Sequence, residues 1–280
     1  MSENTQAQAP AQAQAQAQAP AAIAPEKPIT QVPRQTPLKE FFGRQVVKNK
    51  IAELMGKNSA AFATSVMQIA QSNSMLATAT PESIFSAACM AATLNLPINA
   101  ILGFAHIVPY RNRKLNRVEA QFQIGWKGYI QLAQRTGQFK RISVTSVRDG
   151  QLIKKNPLTG YEFDFETGWE NEVIGFASYF QLLNGFEATL YMSKEEMTNH
   201  AKRYSQSFQK QYGVWFDNFE SMAHKTVIKL LLSRFAPLSI DSTIHKAIES
   251  DSAILQDSGV AYYPDNSQDF EAIEVDQLSE

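Results

Sequence analysis

The chain has 280 residues, of which 44% are hydrophobic and 10% aromatic, and its formal net charge is −1. This composition is typical of a globular protein with a buried core and excludes a fully disordered chain. The apolar runs are too short for a membrane helix, no secretory signal is recognisable, and the single cysteine, Cys89, excludes an internal disulfide. We therefore expect a cytoplasmic protein that does not associate with membranes.

The near-zero net charge conceals an uneven distribution of charge along the chain. Residues 34–248 carry 25 Lys and Arg against 16 Asp and Glu, a net charge of +9, whereas residues 249–280 carry nine acids and no base, a net charge of −9. A basic body with an acidic tail predicts a polyanionic partner, and a tail that competes for the same surface. The alternative is a basic face that is merely solvated.

Composition also divides the chain into segments. Residues 6–25 repeat Ala, Gln and Pro, so they cannot bury enough apolar surface to offset the entropy of ordering. We predict a disordered arm over residues 1–35, one folded domain over residues 36–250 and a flexible acidic tail over residues 251–280.

The predicted elements of the body begin with helices over residues 38–55, 59–71 and 82–94. Apolar residues then alternate with polar ones, which predicts strands over residues 104–110, 118–124, 141–148 and 161–165 around a helix over 126–136. Asn184-Gly185 predicts a hairpin between strands 174–183 and 186–192, and Ser193 with Glu196 forms a capping box that begins a helix. Further helices are predicted over residues 214–235 and 241–250. Segregated helices around an antiparallel hairpin sheet indicate an α+β fold.

Motifs for several kinds of enzyme are missing. No phosphate-binding loop of the Gly-x-x-x-x-Gly-Lys-Ser/Thr type occurs, and the four histidines are too scattered for a zinc site. Glu162, Asp164 and Glu166 alternate along a predicted strand, so they are the best site for a metal-dependent nuclease, although a polar strand face explains them more simply. We expect no catalysis, no ATP, and Mg²⁺ only through a bound nucleic acid.

Cations and aromatic residues are better organised than the acids. Four cations fall in the predicted connection between two strands: Arg111, Arg113, Lys114 and Arg117. Lys225 and Lys229 share one flank of the helix over 214–235, with no acid one turn away, so both are expected to be available to an external anion. Aromatic residues stand beside cations at Trp126-Lys127 and Arg203-Tyr204, a combination that binds single-stranded nucleic acid.

Four sequence blocks make the chain recognisable: LGFAHIVPY over 102–110, QIGWKGY over 123–129, LAQRTG over 132–137 and MAHKTVIK over 222–229. They closely resemble the RecT family of phage single-strand annealing proteins, in the same order and spacing. The resemblance implies ATP-independent annealing of complementary strands by homo-oligomeric rings or helical filaments. It also implies a phage or prophage origin in a bacterial host, a phage exonuclease as partner, and a host single-strand binding protein as a further partner.

The predicted contacts to single-stranded DNA and to the annealed duplex combine these cations and aromatic residues with the family blocks. They are Arg111, Arg113, Lys114, Arg117, Gln123, Trp126, Lys127, Arg148, Lys202, Arg203, Tyr204, Lys225 and Lys229. Two alternatives remain at this point: a metal-dependent nuclease that uses the three alternating acids, and a single-strand protector that does not anneal.

Overall fold

A group of helices begins the part of the chain that the structure describes. The structure is a computed structural model that describes residues 37–262 apart from 100, 113–114, 212, 238–242, 252 and 257–258. The helices are α1 (Leu38–Gly43), α2 (Gln45–Met55), α3 (Ser59–Ser72) and α4 (Pro81–Thr93). The single helix predicted over residues 38–55 is interrupted, because Arg44 has an extended backbone. The break allows Phe41 and Phe42 both to pack edge-to-face on Phe85, with ring centroids 5.9 and 6.0 Å away.

Antiparallel hairpins follow these helices. The first pairs β1 (Ala105–Asn112) with β2 (Arg117–Ile124), as the alternation of residues predicted. After α5 (Trp126–Arg135), three strands form a sheet in the order β3–β6–β7, and β4 pairs with β5 beside it. Their bounds are β3 (Phe139–Arg148), β4 (Leu152–Asn156), β5 (Gly160–Phe163), β6 (Val173–Leu182) and β7 (Glu187–Ser193). The strand β4 was not predicted, because residues 152–156 show little alternation.

The remaining helices lead from the sheet to the end of the body. They are α6 (Lys194–Tyr204), α7 (Gln206–Gln209), α8 (Val214–Asp217), α9 (Phe219–Phe235) and α10 (Thr243–Ser250). The predicted capping box is confirmed: Ser193 accepts a hydrogen bond from the Glu196 amide, and the Glu196 side chain accepts one from the Ser193 amide. The helix predicted over residues 214–235 is interrupted at Asn218, whose non-helical backbone separates α8 from α9.

The helix α9 lies at the centre of the core. It packs on β3, β6, β7 and α5 and buries Ala223, Val227, Ile228, Leu231 and Leu232 completely. Antiparallel sheets and helices thus share one main core, which confirms the α+β prediction. Among the described residues, no helix is both long and apolar enough to cross a membrane.

The structure describes part of the predicted acidic tail but none of the predicted arm. The arm over residues 1–35 lies outside the described residues, as does the end of the acidic tail over 263–280. Asp251, assigned from the sequence to the flexible tail, is instead buried. Beyond it, a hairpin of β8 (Ala253–Gln256) and β9 (Gly259–Tyr262) lies near α4 and β2. The packed body therefore extends past residue 250.

Candidate nucleic-acid interface

The hairpin of β1 and β2 carries the first group of predicted contacts. Arg111 is exposed near the end of β1, whereas Arg117 at the start of β2 donates to Glu119, with its Nε 2.6 Å from Oε1. Glu119 is buried and also accepts from the Tyr110 hydroxyl and from Asn112 Nδ2. Arg113 and Lys114 lie outside the described residues. Because Arg117 neutralises a buried acid, its guanidinium is less available to DNA than the sequence suggested.

The QIGWKGY block forms a tight crossing between the end of β2 and the start of α5. A Cβ atom on Gly125 would lie 2.1 Å from the Gly103 carbonyl oxygen, and one on Gly128 would lie 2.2 Å from that of Phe104. Both positions therefore require glycine. Between them, Lys127 is exposed and places its Nζ 5.6 Å from the centre of the Trp126 ring.

Trp126 itself is half-buried. Its ring packs edge-to-face on His224 of α9, with centroids 5.7 Å apart, so at least part of this aromatic surface belongs to the core. Arg148, at the end of β3, donates from Nη1 to the carbonyl oxygen of Asn171 at 2.6 Å. Arg148 does not line the cavity beside Tyr204, described below, into which other predicted contacts project.

The last turn of α6 presents a second pair of cation and ring. The Arg203 guanidinium lies 5.4 Å from the centre of the Tyr204 ring, which is 37% exposed and also contacts His200 at 4.6 Å. Lys202 beside them is exposed. Burial lowers the pKa of His200, and the charges of Arg203 and Lys229 lower it further, so this imidazole is neutral at pH 7. The exposed ring is suited to stack on a base while the cations face phosphates.

The two lysines of α9 do not lie as the sequence predicted. Both have an acidic partner, Asp251, which follows the last turn of α10: the Lys225 Nζ is 2.9 Å from Oδ1, and the Lys229 Nζ is 2.8 Å from Oδ2. Oδ1 also accepts the Ile124 amide at 2.9 Å. Asp251 is distant from α9 in sequence, so a search for acids one helical turn away could not find it. The expectation that both lysines are available to an external anion is therefore wrong for the structure as it stands.

Burial and the opposite charges of the lysines determine the ionisation of Asp251 in this cluster. Asp251 is 3% exposed and Lys225 9%, whereas the Lys229 side chain is 31% exposed. Burial alone would raise the pKa of Asp251, but the two lysines and the Ile124 amide outweigh it and hold that pKa well below its usual range. Asp251 is thus a carboxylate at every pH at which the protein would be used.

A cavity of about 330 Å³ brings four of the predicted contacts together. Gln123, Tyr204, Lys225 and Lys229 all line it. The wall also contains residues that were not predicted as contacts, among them His200, Trp215 and Asp251. Trp215 could have been suspected from its place before a basic helix, but no local pattern marked Asp251. Next to the cavity, the exposed Arg203 lies against Tyr204. Among the described residues, this cavity is the best-supported nucleic-acid interface.

Two other regions do not offer a comparable site. A larger cleft of about 760 Å³ is lined mainly by residues of α3, α4 and the segment after α4. None of the predicted contacts that the structure describes lines it, and Arg135 in its wall donates to the Leu94 carbonyl. The three acids proposed for a nuclease do not share a strand face, because β5 ends at Phe163. Glu162 pairs with Lys154 instead, and no group of three possible metal ligands occurs among the described residues.

Comparisons with known proteins show the family of this chain. The model of the RecT family matches residues 60–266. The chain is 42% identical to the uncharacterized protein YqaK of Bacillus subtilis over 205 residues, which are 73% of this chain and 69% of that protein. It is 27% identical to Protein RecT of Escherichia coli over 192 residues, 60% of this chain and 62% of that protein. The chain belongs to the RecT family.

Proposed function

We propose that this protein anneals complementary single strands of DNA without ATP, in the homologous recombination of a phage or prophage. Membership of the RecT family supports a role in single-strand annealing and recombination. In this chain, the main structural support for the proposal is the cavity between α6 and α9. It is lined by a partly exposed ring, Tyr204, and by the cation Lys229, and the exposed cation Arg203 lies against that ring. A polar groove with rings and cations binds single strands without regard to sequence.

The physical task is electrostatic. Two DNA strands repel each other through their phosphates, and cations on a protein surface lower that repulsion by neutralising part of the charge. The protein contacts the backbone, and base pairing supplies the sequence specificity. No covalent bond is made or broken, so neither ATP nor a catalytic metal is required, and Mg²⁺ acts only through the DNA.

A single protomer contacts few nucleotides, so annealing of long strands requires many copies side by side. We therefore include a homo-oligomeric ring or helical filament in the proposal. A phage exonuclease that exposes the strand and a host single-strand binding protein that covers it are the expected partners in the bacterial cytoplasm.

The test is to incubate labelled complementary strands with the full chain and Mg²⁺, with and without ATP. We expect duplex to form faster than in buffer, at the same rate with or without ATP. Slower duplex formation would show a single-strand protector, and shortened strands would show a nuclease; either outcome overturns the proposal. Sedimentation of the protein with and without DNA tests the oligomer separately.

Salt gives an independent measure of the same interface. If phosphate contacts dominate, the logarithm of the affinity for single strands falls linearly with the logarithm of the salt concentration, with a slope of about −0.7 for each neutralised phosphate. An affinity that does not change between low and physiological salt would contradict a backbone-binding mode.

A further inference from the structure

The cluster at the end of α10 resembles an anion-binding site that is already filled. Two ammonium groups, Lys225 and Lys229, and one backbone amide, Ile124, converge on the two oxygens of Asp251 at 2.8 to 2.9 Å. Charged donors and a backbone amide are the groups that proteins use to hold the oxygens of a phosphate. The donors would therefore suit a phosphodiester as well as they suit a carboxylate.

The position of the cluster allows an external anion to reach it. The cavity of about 330 Å³ is lined by both lysines, by Asp251 and by the ring of Tyr204. Lys229 keeps 31% of its side chain exposed, whereas Lys225 and Asp251 lie deeper. An approaching strand would therefore meet Lys229 first.

The carboxylate comes from the boundary between the basic body and the acidic end of the chain. Asp251 directly follows the last turn of α10, and its amide donates to the Ala247 carbonyl at 3.0 Å. A change confined to this turn can withdraw the carboxylate while Ile244 and Ala247 remain packed in the core. Once it leaves the lysines, the Asp251 side chain is still charged at neutral pH and is hydrated by water, because an unperturbed aspartate has a pKa of about 3.9.

We propose that Lys225 and Lys229 form a binding site for a backbone phosphate of single-stranded DNA, which the chain's own Asp251 occupies until DNA displaces it. The inference rests on the proposed function. Exchange of one anion for another is physically reasonable, because it never leaves the two lysines without a counter-charge, which is the costly state for a buried cation. In the absence of DNA, the same carboxylate keeps other anions out of the site.

The test compares two variants that remove the same charge two residues apart. Asp251→Asn removes the internal carboxylate and keeps its shape, whereas Glu249→Gln removes an exposed carboxylate of α10. We expect Asp251→Asn to bind a single-stranded oligonucleotide about three- to tenfold more tightly at low salt, because charge-assisted contacts become available to DNA. The magnitude of its salt slope should grow by about 0.7 for each added phosphate contact. Glu249→Gln should change both quantities little, and Lys229→Gln added to Asp251→Asn should remove the gain.

A second measurement uses the unaltered chain, in case Asp251→Asn does not fold. Hydrogen exchange over residues 247–251 should become faster when single-stranded DNA is bound, because the turn that carries Asp251 is released when the carboxylate is displaced. Unchanged or slower exchange there would overturn the proposal, as would a folded Asp251→Asn variant whose affinity equals that of Glu249→Gln. The unaltered chain is measured in both assays: if it binds DNA while these signals are absent, the inference fails alone, and if it does not bind DNA, the proposed function fails as well.

Discussion

Two basic regions of this protein look alike in sequence and differ in structure. The lysines of α9 face the carboxylate of Asp251, just after α10, and are largely withdrawn from solvent. Arg203 at the end of α6 lies instead on the exposed ring of Tyr204. Both regions combine cations with aromatic neighbours. The difference is whether the fold brings a distant acid to the cation. The availability of a cation for DNA is thus a property of tertiary structure and cannot be inferred from the charges within one helical turn.

The largest expected effect comes from removing the cations of the buried region. Replacing Lys225 and Lys229 together by alanine leaves Asp251 buried without a counter-charge, which should lower the free energy of unfolding by about 3–5 kcal/mol. Urea denaturation measures it, and Lys202→Ala, which removes an exposed cation from α6, is the control with an expected change of less than about 0.5 kcal/mol. A double variant as stable as the control would mean that the Asp251 cluster contributes nothing to folding.

The exposed region should respond in DNA binding and not in stability. Tyr204→Ala removes a ring on which a base can stack, and such a loss costs about 1–3 kcal/mol of binding free energy. Arg203→Gln should reduce the magnitude of the salt slope by about 0.7, the contribution of one phosphate. Fluorescence anisotropy with a single-stranded oligonucleotide over a series of salt concentrations measures both effects.

The matched control for these two variants is Lys194→Gln, at the opposite end of the same helix. It should leave the affinity and the salt slope almost unchanged. If Tyr204→Ala and Arg203→Gln behave like this control, the single strand does not pass over the end of α6.

The smallest effect concerns pH. The folded protein holds the pKa of Asp251 well below the value of an unfolded aspartate, about 3.9. The stabilisation from this group is therefore complete above about pH 5 and is lost as the pH falls further, by about 1 kcal/mol at pH 3. Urea denaturation at pH 3 and pH 6 should show a smaller difference for Asp251→Asn than for the unaltered chain. Equal differences would indicate that Asp251 does not titrate abnormally.

Local signals in the sequence predicted much of the fold. The alternation in residues 118–124 and the capping box at Ser193 and Glu196 depend on near neighbours, and the structure confirms both elements. The helix boundaries were predicted less well where they depend on packing against distant parts of the chain. The break at Asn218 has no proline or glycine beside it, whereas the break at Arg44 directly follows Gly43, a local signal that the single predicted helix passed over.

The candidate site shows the same limit. Sequence reasoning found the cations and the ring, because these residues lie in recognisable blocks and beside one another. It could not find which of them share a cavity, since Gln123, Tyr204 and Lys229 come from three different elements. It also assigned Asp251 to the tail, because an acid among acids gives no sign that it is buried.

The hydrogen bond from the Ile124 amide to Asp251 has a consequence for the order of folding. It joins residues 127 positions apart, so it closes a long loop, and contacts of that kind form late. A chain emerging from the ribosome can form the hairpin of β1 and β2 early, but Lys225 and Lys229 have no Asp251 until a further 26 and 22 residues have been synthesised. During that interval both ammonium groups lack this carboxylate, in a cell rich in nucleic acid. Arrival of Asp251 therefore also ends a period in which the nascent chain could be captured by RNA.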